Sequence, residues 1–372
     1  MNVGDDSDPH QSSEADSSTL PSNVLFGQGA RYNRAVKVSE LGEFGLIDRL
    51  AVAAAGHAPS EAASRLVVGI GDDAVVWRVD SGALLATTDT LVEGVHFVPG
   101  RTPWRDLGWK ALVANLSDIA AMGGTPDFAL VTLGLPPDSE VEPLDELYAG
   151  LTEAADAHGV VIAGGDIVRA PAFFVSVTLT GHADLDATGE PLVLRRNAAQ
   201  AGDVIAVTHT LGGAAGGLRA FQDGKIDTDA ANPLIKRHLR PQPRLEAGRA
   251  ALAAGVRCAI DVSDGLLQDL GHVCRASRLG AVVWRDKLPV DPALVDAFEP
   301  DEALRMAATG GEDYELVLVG ASEHIEAARK ESDVSITVIG EMVIDAKHEA
   351  KLLDEAGREV AIASTGWDHL RA

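Results

Sequence analysis

The sequence predicts an α/β protein of two domains with mixed sheets, and three observations lead there. The chain has 372 residues, more than one core usually serves. Apolar runs of strand length alternate with segments of helical periodicity in both halves. Gly and Pro clusters punctuate that alternation at short intervals.

Residues 1–36 are rich in Ser and Asp and poor in periodic apolar residues. Such a segment cannot offset its ordering entropy, so a disordered acidic tail is expected. Residues 37–183 make a first domain. Ser39 is placed to cap a helix whose apolar face is Leu41, Phe44, Leu46, Ile47 and Leu50. Strand-like runs follow at "RLVVGI", "AVVWRV" and "ALLATT". A helix spans "WRDLGWKALVANLSDIAAMGG" and stops at Gly123 and Gly124. The strand "FALVTLGL", the helix "LDELYAGLTEAADAHG" and the strands "VVIAG" and "FFVSVTLTG" complete the domain.

Residues 184–372 make the second. It opens on the strand "VIAVTHT" and the Gly-rich helix start "LGGAAGG". A proline-punctuated helix pair follows around "HLRPQPRLEAGRAALAAG", then "RCAIDVSDG", the helix "LLQDLGHVCRASRLG", and strands at "AVVWRD", "YELVLVG" and "ITVIGEMV". Periodicity leaves the sheet pairing open.

Charge and composition exclude several functions. A formal net charge of −25 repels a polyphosphate backbone, and no basic patch offsets it, so nucleic acid is not an expected partner. No apolar run is long enough for a membrane span. Cys258 and Cys274 have neither zinc-like nor redox-like spacing, and no secretory signal is recognisable. A cytoplasmic protein with reduced thiols is expected.

The chemistry is carried by acids. Asp72 and Asp73 in "GIGDD", Asp89 in "TTDT", Asp166 in "AGGD", and Asp261 and Asp264 in "IDVSDG" stand where apolar strand-like runs give way to Gly or small residues. One such Asp reads as a turn or cap residue. A whole set does not, and Asp118 inside the apolar helix stretch "LVANLSDIAAMG" needs a partner. Carboxylates gathered in one cleft repel one another unless a cation lies between them. Hard oxygen donors suit Mg²⁺, which shares its shell with waters and phosphate oxygens. Thr87 and Thr88, beside Asp89, offer hydroxyl oxygens or simply β-propensity. "GIGDDA" matches G-x-G-x-x-A but precedes a strand-like run rather than a helix, and no P-loop sequence occurs. "IAGGDIVR" offers another route to an anion, with Gly164 and Gly165 admitting close backbone approach, or else is a tight turn. "LGGAAGG" (211–217) reads as close helix packing, with a phosphate cradle as the alternative.

"GIGDDAVV", "TTDTLVEGVHF", "WKALVANLSDIAAMGG", "GGDIVR", "IDVSDGLLQDLGH" and "TGGEDYEL", in that order, resemble the thiamine-monophosphate kinase family. The resemblance runs from about residue 40 to the C-terminus and leaves the acidic tail outside. It implies the two-domain fold typified by aminoimidazole ribonucleotide synthetase, with an N-terminal ATP- and Mg²⁺-binding domain and a C-terminal α/β domain. It also implies a homodimer that transfers the γ-phosphoryl group of ATP to thiamine monophosphate. The resemblance assigns magnesium to Asp73, Thr88, Asp89, Asp118, Asp166, Asp261 and Asp264, with Thr87 as a further ligand. Asp89, Asp118 and Asp264 carry the catalytic role. It gives ATP contacts to Tyr148, Gly164, Gly165, Arg196 (or its neighbour Arg195) and Ser263, and the thiamine side to His96, Glu312 and Trp367. Selenophosphate synthetases and hydrogenase-maturation proteins share the superfamily, but the reactive cysteines expected of them are missing here.

Overall fold

The computed structural model describes residues 37, 40–41, 46, 49–50, 52–53, 66–68, 76–77, 82–224, 231–362 and 364–367. The expected acidic tail, the Ser39 cap, and Asp72 and Asp73 lie outside these residues. A short antiparallel ribbon pairs β1 (Leu66–Val68) with β2 (Val76–Trp77).

The first sheet contains β3 (Ala83–Val92), β4 (Thr125–Leu135), β5 (Val161–Arg169) and β6 (Phe174–Ala183) in the order β3-β6-β4-β5. Only β4 and β5 run parallel. One face is covered by α1 (Trp104–Ala121) and α2 (Glu142–His158). Leu107, Leu112, Leu116 and Ile119 of α1 share a core with Val131, Leu133, Val175, Val177 and Leu179 of the sheet.

The second sheet contains β7 (Val204–Thr208), β8 (Cys258–Asp261), β9 (Gly280–Trp284), β10 (Leu316–Gly320), β11 (Ile336–Val343) and β12 (Ala350–Leu353). Its order is β12-β9-β11-β7-β10-β8, with β12 and β9 its parallel pair. Seven helices accompany it among the described residues: α3 (Gly213–Gln222), α4 (Ala231–Leu239), α5 (Leu245–Ala253), α6 (Leu266–Ser277), α7 (Pro292–Ala297), α8 (Pro300–Thr309) and α9 (Ser322–Glu331).

Strand alternation sends this sheet's side chains two ways. Ile205, Val207, Ile260, Val317 and Val319 pack with Leu266, Leu270 and Val273 of α6. Ala206, Ala259, Leu316 and Leu318 instead join the core that contains α1. Helix α1 therefore lies between the two sheets, with residues buried on every side. A helix apolar all round is what such a position demands.

Two expectations are corrected. Asp89 lies inside β3, and Gly164, Gly165 and Asp166 lie inside β5, not at strand ends or in a tight turn. Ladder pairing along β6 and β4 carries both strands past the local Gly and Asp signals. Close strand approach accounts for Gly165, since an added Cβ would stand 1.9 Å from Val131 O.

Candidate active site

The carboxylates meet where α1 crosses from one sheet to the other. Thr87 and Asp89 project from the same side of β3 towards α1. The Thr87 hydroxyl donates to Asp118 Oδ2 at 2.5 Å, and Asp89 shares a hydrogen bond with Asp118. One residue earlier on α1, the Ser117 hydroxyl donates to Asp261 Oδ2 at 2.8 Å, at the end of β8. Asp264 is close enough to raise the pKa of Asp89. Four acids from β3, α1, β8 and the turn after β8 thus converge.

Their electrostatics follow from that crowding. Burial first, and the neighbouring Asp118 second, push Asp89 up to about 6. The same two causes push Asp261 up to about 8. Asp118 is also raised, by burial, against the pull of the Thr87 hydroxyl and the Arg196 guanidinium. Arg196 therefore acts on both Asp118 and Asp261, whereas the Arg195 backbone N–H donates to Arg257 O and its carbonyl accepts from Ala198 N.

The turn carrying Ser263 and Asp264 is fixed by Asp269. One oxygen of that buried carboxylate accepts the backbone N–H groups of Ser263, Asp264 and Gly265 at 3.0 to 3.1 Å. The start of α6 is thus occupied by a carboxyl group of the protein itself. Glu312 N donates to Ser263 O at 2.7 Å, and Trp367 N donates to Asp264 O at 3.0 Å. Gln268 Nε2 also donates to Trp367 O. Glu312 and Trp367 are consequently brought against the acidic turn.

Other predicted residues lie elsewhere. Thr88 and Asp166 project from the opposite face of the first sheet. Strand register puts Thr88 in a row with Thr178, Leu130 and Gly164, and Asp166 in a row with Thr132, Ser176 and Thr90. The Thr178 hydroxyl donates to Thr88 Oγ1 at 3.1 Å on that face. Tyr148 belongs to the apolar core beneath α2. His96 follows the end of β3, where its Nδ1 accepts Val92 N at 3.0 Å.

The "LGGAAGG" stretch is resolved in favour of packing. An added Cβ on Gly217 would stand 2.2 Å from Leu234 O of α4. The Gly212 and Ala214 amides donate to Asp313 at 2.6 and 3.0 Å, so the start of α3 holds a side chain of its own protein.

Sequence reasoning missed Lys110, Ser117, Asp269 and Tyr314. Tyr314 is buried with φ +52°, and the charges of Glu312, Asp89, Asp261 and Asp118 reach its hydroxyl. A signal existed for Lys110, since a lysine on the apolar helix α1 needs a partner as much as Asp118 does.

Among the described residues, no three His, Cys, Asp or Glu side chains form a ready-made metal cage. The donor set is nevertheless one that Mg²⁺ fits. Its acids are hard oxygen donors, Asp89 and Asp261 are raised in pKa by burial and by Asp118, and magnesium takes few protein ligands when phosphate oxygens and waters supply the rest.

Residues 71–183 match the family model for the AIR synthase related protein, N-terminal domain, and residues 200–352 match its C-terminal domain. The chain is 39% identical over 338 residues to the thiamine-monophosphate kinase of Escherichia coli (strain K12), covering 88% of this chain and 98% of that one. It is similar to the crystal structure of thiamine-monophosphate kinase from Stenotrophomonas maltophilia K279a, at 36% identity and TM-score 0.74, over 86% of this chain and 98% of that one. The structure of AaThiL complexed with AMPPCP and TMP is 30% identical with TM-score 0.68, over 90% of this chain and 99% of that one.

Proposed function

The chain belongs to the thiamine-monophosphate kinase family, and we propose that its acidic cleft performs the ATP-dependent, Mg²⁺-dependent phosphorylation of thiamine monophosphate to thiamine diphosphate. The observation that carries the reading is the convergence of Asp89, Asp118, Asp261 and Asp264 beside Arg196.

Both reactants are anions, and a cleft of carboxylates alone would repel them. Several Mg²⁺ ions bound there would supply the charge neutralisation that lets donor and acceptor phosphates approach in line. Asp89, Asp118 and Asp264 would hold Mg²⁺ in the catalytic centre with Asp261 and Thr87 as further oxygen donors, while Thr88 and Asp166, on the opposite face of the sheet, and Asp73 would serve further ions. Thr87 and Ser117 orient the Asp118 and Asp261 carboxylates through their hydroxyls. Arg196 grips phosphate oxygens, and the reach of its charge into the cluster favours it over Arg195. Ser263, Gly164, Gly165 and Tyr148 complete the ATP side by resemblance. His96, Glu312 and Trp367 form the thiamine side, which the ties of Glu312 and Trp367 to the acidic turn support. The acceptor phosphate is already ionised at neutral pH, so no dedicated general base is required and catalysis rests on positioning and charge stabilisation.

Residues 37–183 serve as the ATP, Mg²⁺ and dimerisation domain and residues 184–372 as its α/β companion. The homodimer reading draws support from the outer face of the first sheet, where Leu84 is 61% and Val168 39% exposed beside the small apolar cluster of Phe128, Leu130, Val161 and Ala163. Thr88 and Asp166 share that face, at the subunit boundary of such a dimer. Two buried free cysteines suit a cytoplasmic location. Among the described residues no helix is long and apolar enough to cross a membrane.

The test is incubation of the purified protein with thiamine monophosphate, ATP and Mg²⁺. Thiamine diphosphate is expected, and Asp89→Ala abolishes it while circular dichroism stays unchanged. Nucleotide binding without product under metal-replete conditions refutes the kinase reading.

A further inference from the structure

Lys110 is a lysine in an unusual place. Its side chain is 4% exposed on α1, and its Nζ lies 2.7 Å from Glu312 Oε1. On the other oxygen, His238 Nδ1 of α4 lies 3.1 Å from Glu312 Oε2, close but without hydrogen-bond alignment. Glu312 itself has φ +67°, a left-handed conformation that costs a residue other than glycine roughly 1–2 kcal/mol. Backbone strain, a buried lysine and a buried histidine therefore all meet at one carboxylate.

Burial works against the charge on Glu312, but the Lys110 ammonium, 2.7 Å away, is the largest of the influences that hold the carboxyl far below its usual range. His238 is itself pulled below its ordinary value by burial and by Lys110, so it is neutral at pH 7. The group thus contains one ammonium and one carboxylate. A thiazolium cation arriving there meets an acid that is already neutralised, with Lys110 repelling it. A neutral N–H donor meets carboxylate lone pairs that Lys110 leaves unused.

Resting on the placement of Glu312 at the thiamine side, we propose that Lys110 is a positioning residue that fixes Glu312 as a hydrogen-bond acceptor for a neutral N–H of the substrate, such as the amino group of its aminopyrimidine ring. In this arrangement Glu312 is not the counter-ion of the thiazolium. Lys110 touches no reacting atom and acts wholly through Glu312.

The experiment is a double-mutant cycle with Lys110→Met, Glu312→Gln and the double variant, reading KM for thiamine monophosphate and for ATP separately. Each single change is expected to raise KM for thiamine monophosphate ~10-fold while KM for ATP stays within about twofold. The double variant is expected to be no worse than Glu312→Gln, and Lys110→Arg to recover part of the loss. A lower KM for thiamine monophosphate in Lys110→Met means that an unmasked carboxylate attracts the thiazolium, and this overturns the proposal. Equal losses from Lys110→Met with and without Glu312→Gln also overturn it. An unchanged KM in Glu312→Gln instead removes Glu312 from the thiamine side and sinks that assignment. Should Lys110→Met fail to fold, Lys110→Arg runs through the same cycle, because it keeps the charge and moves the donors. Its effect on KM must then vanish in the Glu312→Gln background.

Discussion

The Thr87 hydroxyl on β3 donates to Asp118 Oδ2 on α1 across 2.5 Å, so a strand of the first sheet orients a carboxylate on the helix between the sheets. Thr87→Val keeps the shape and removes the donor. We expect kcat to fall roughly 10-fold with little change in melting temperature, the effect of losing one charge-assisted hydrogen bond of about 1.5 kcal/mol. Steady-state kinetics beside a thermal melt checks this, and an unchanged kcat would show that the bond does not orient the site.

Magnesium binding should release protons at pH 7. Asp261 is pushed up to about 8 by burial and Asp118, and Asp89 up to about 6 by burial and Asp118. The metal-free cluster therefore retains a proton that a divalent cation must displace. Calorimetric titration of Mg²⁺ in two buffers of different ionisation enthalpy reads the count directly. Identical heats in both buffers would contradict the prediction.

Acid sensitivity is predicted at His158. Its Nε2 is buried without a partner, its ring stands edge-on to Trp109 at 6.2 Å, and burial lowers its pKa from 6.5. A histidine with a depressed folded pKa binds fewer protons folded than unfolded below pH 6.5. Its contribution is therefore complete above that value and lost as pH falls from 6.5. His158→Phe should flatten the drop in urea midpoint between pH 7 and pH 5 and leave the midpoint near wild type at pH 8. Parallel pH profiles for the two proteins would refute it.

Gly217→Ala separates helix packing from phosphate binding. A Cβ there stands 2.2 Å from Leu234 O, a backbone atom that cannot step aside, so α3 and α4 must move apart. We expect a loss of about 2–4 kcal/mol of stability, with KM for ATP unchanged in the protein that folds. A raised KM with full stability would restore the cradle reading.

Much of this molecule was legible before any coordinates. The acids stood out because Asp118 interrupts an otherwise apolar helix, and the α/β alternation was visible in hydrophobic periods. The two strands that run past their Gly and Asp signals were not legible, because the ladder hydrogen bonds that extend β3 and β5 come from β6 and β4, distant in sequence. Lys110 went unremarked for a similar reason. Its need for a partner is local, but the partner, Glu312, is two hundred residues away on a loop of the other half.

The sequence by itself determined which residue types exist to do chemistry, the order of elements that carry them, and the family to which they belong. Only the tertiary structure decided which of them share a face. It grouped Thr87, Asp89, Asp118, Asp261 and Asp264 around α1 and turned Thr88 and Asp166 to the far side of the same sheet. The physical reason is strand alternation: successive side chains point to opposite faces, and the face that becomes interior is settled by what packs against the strand.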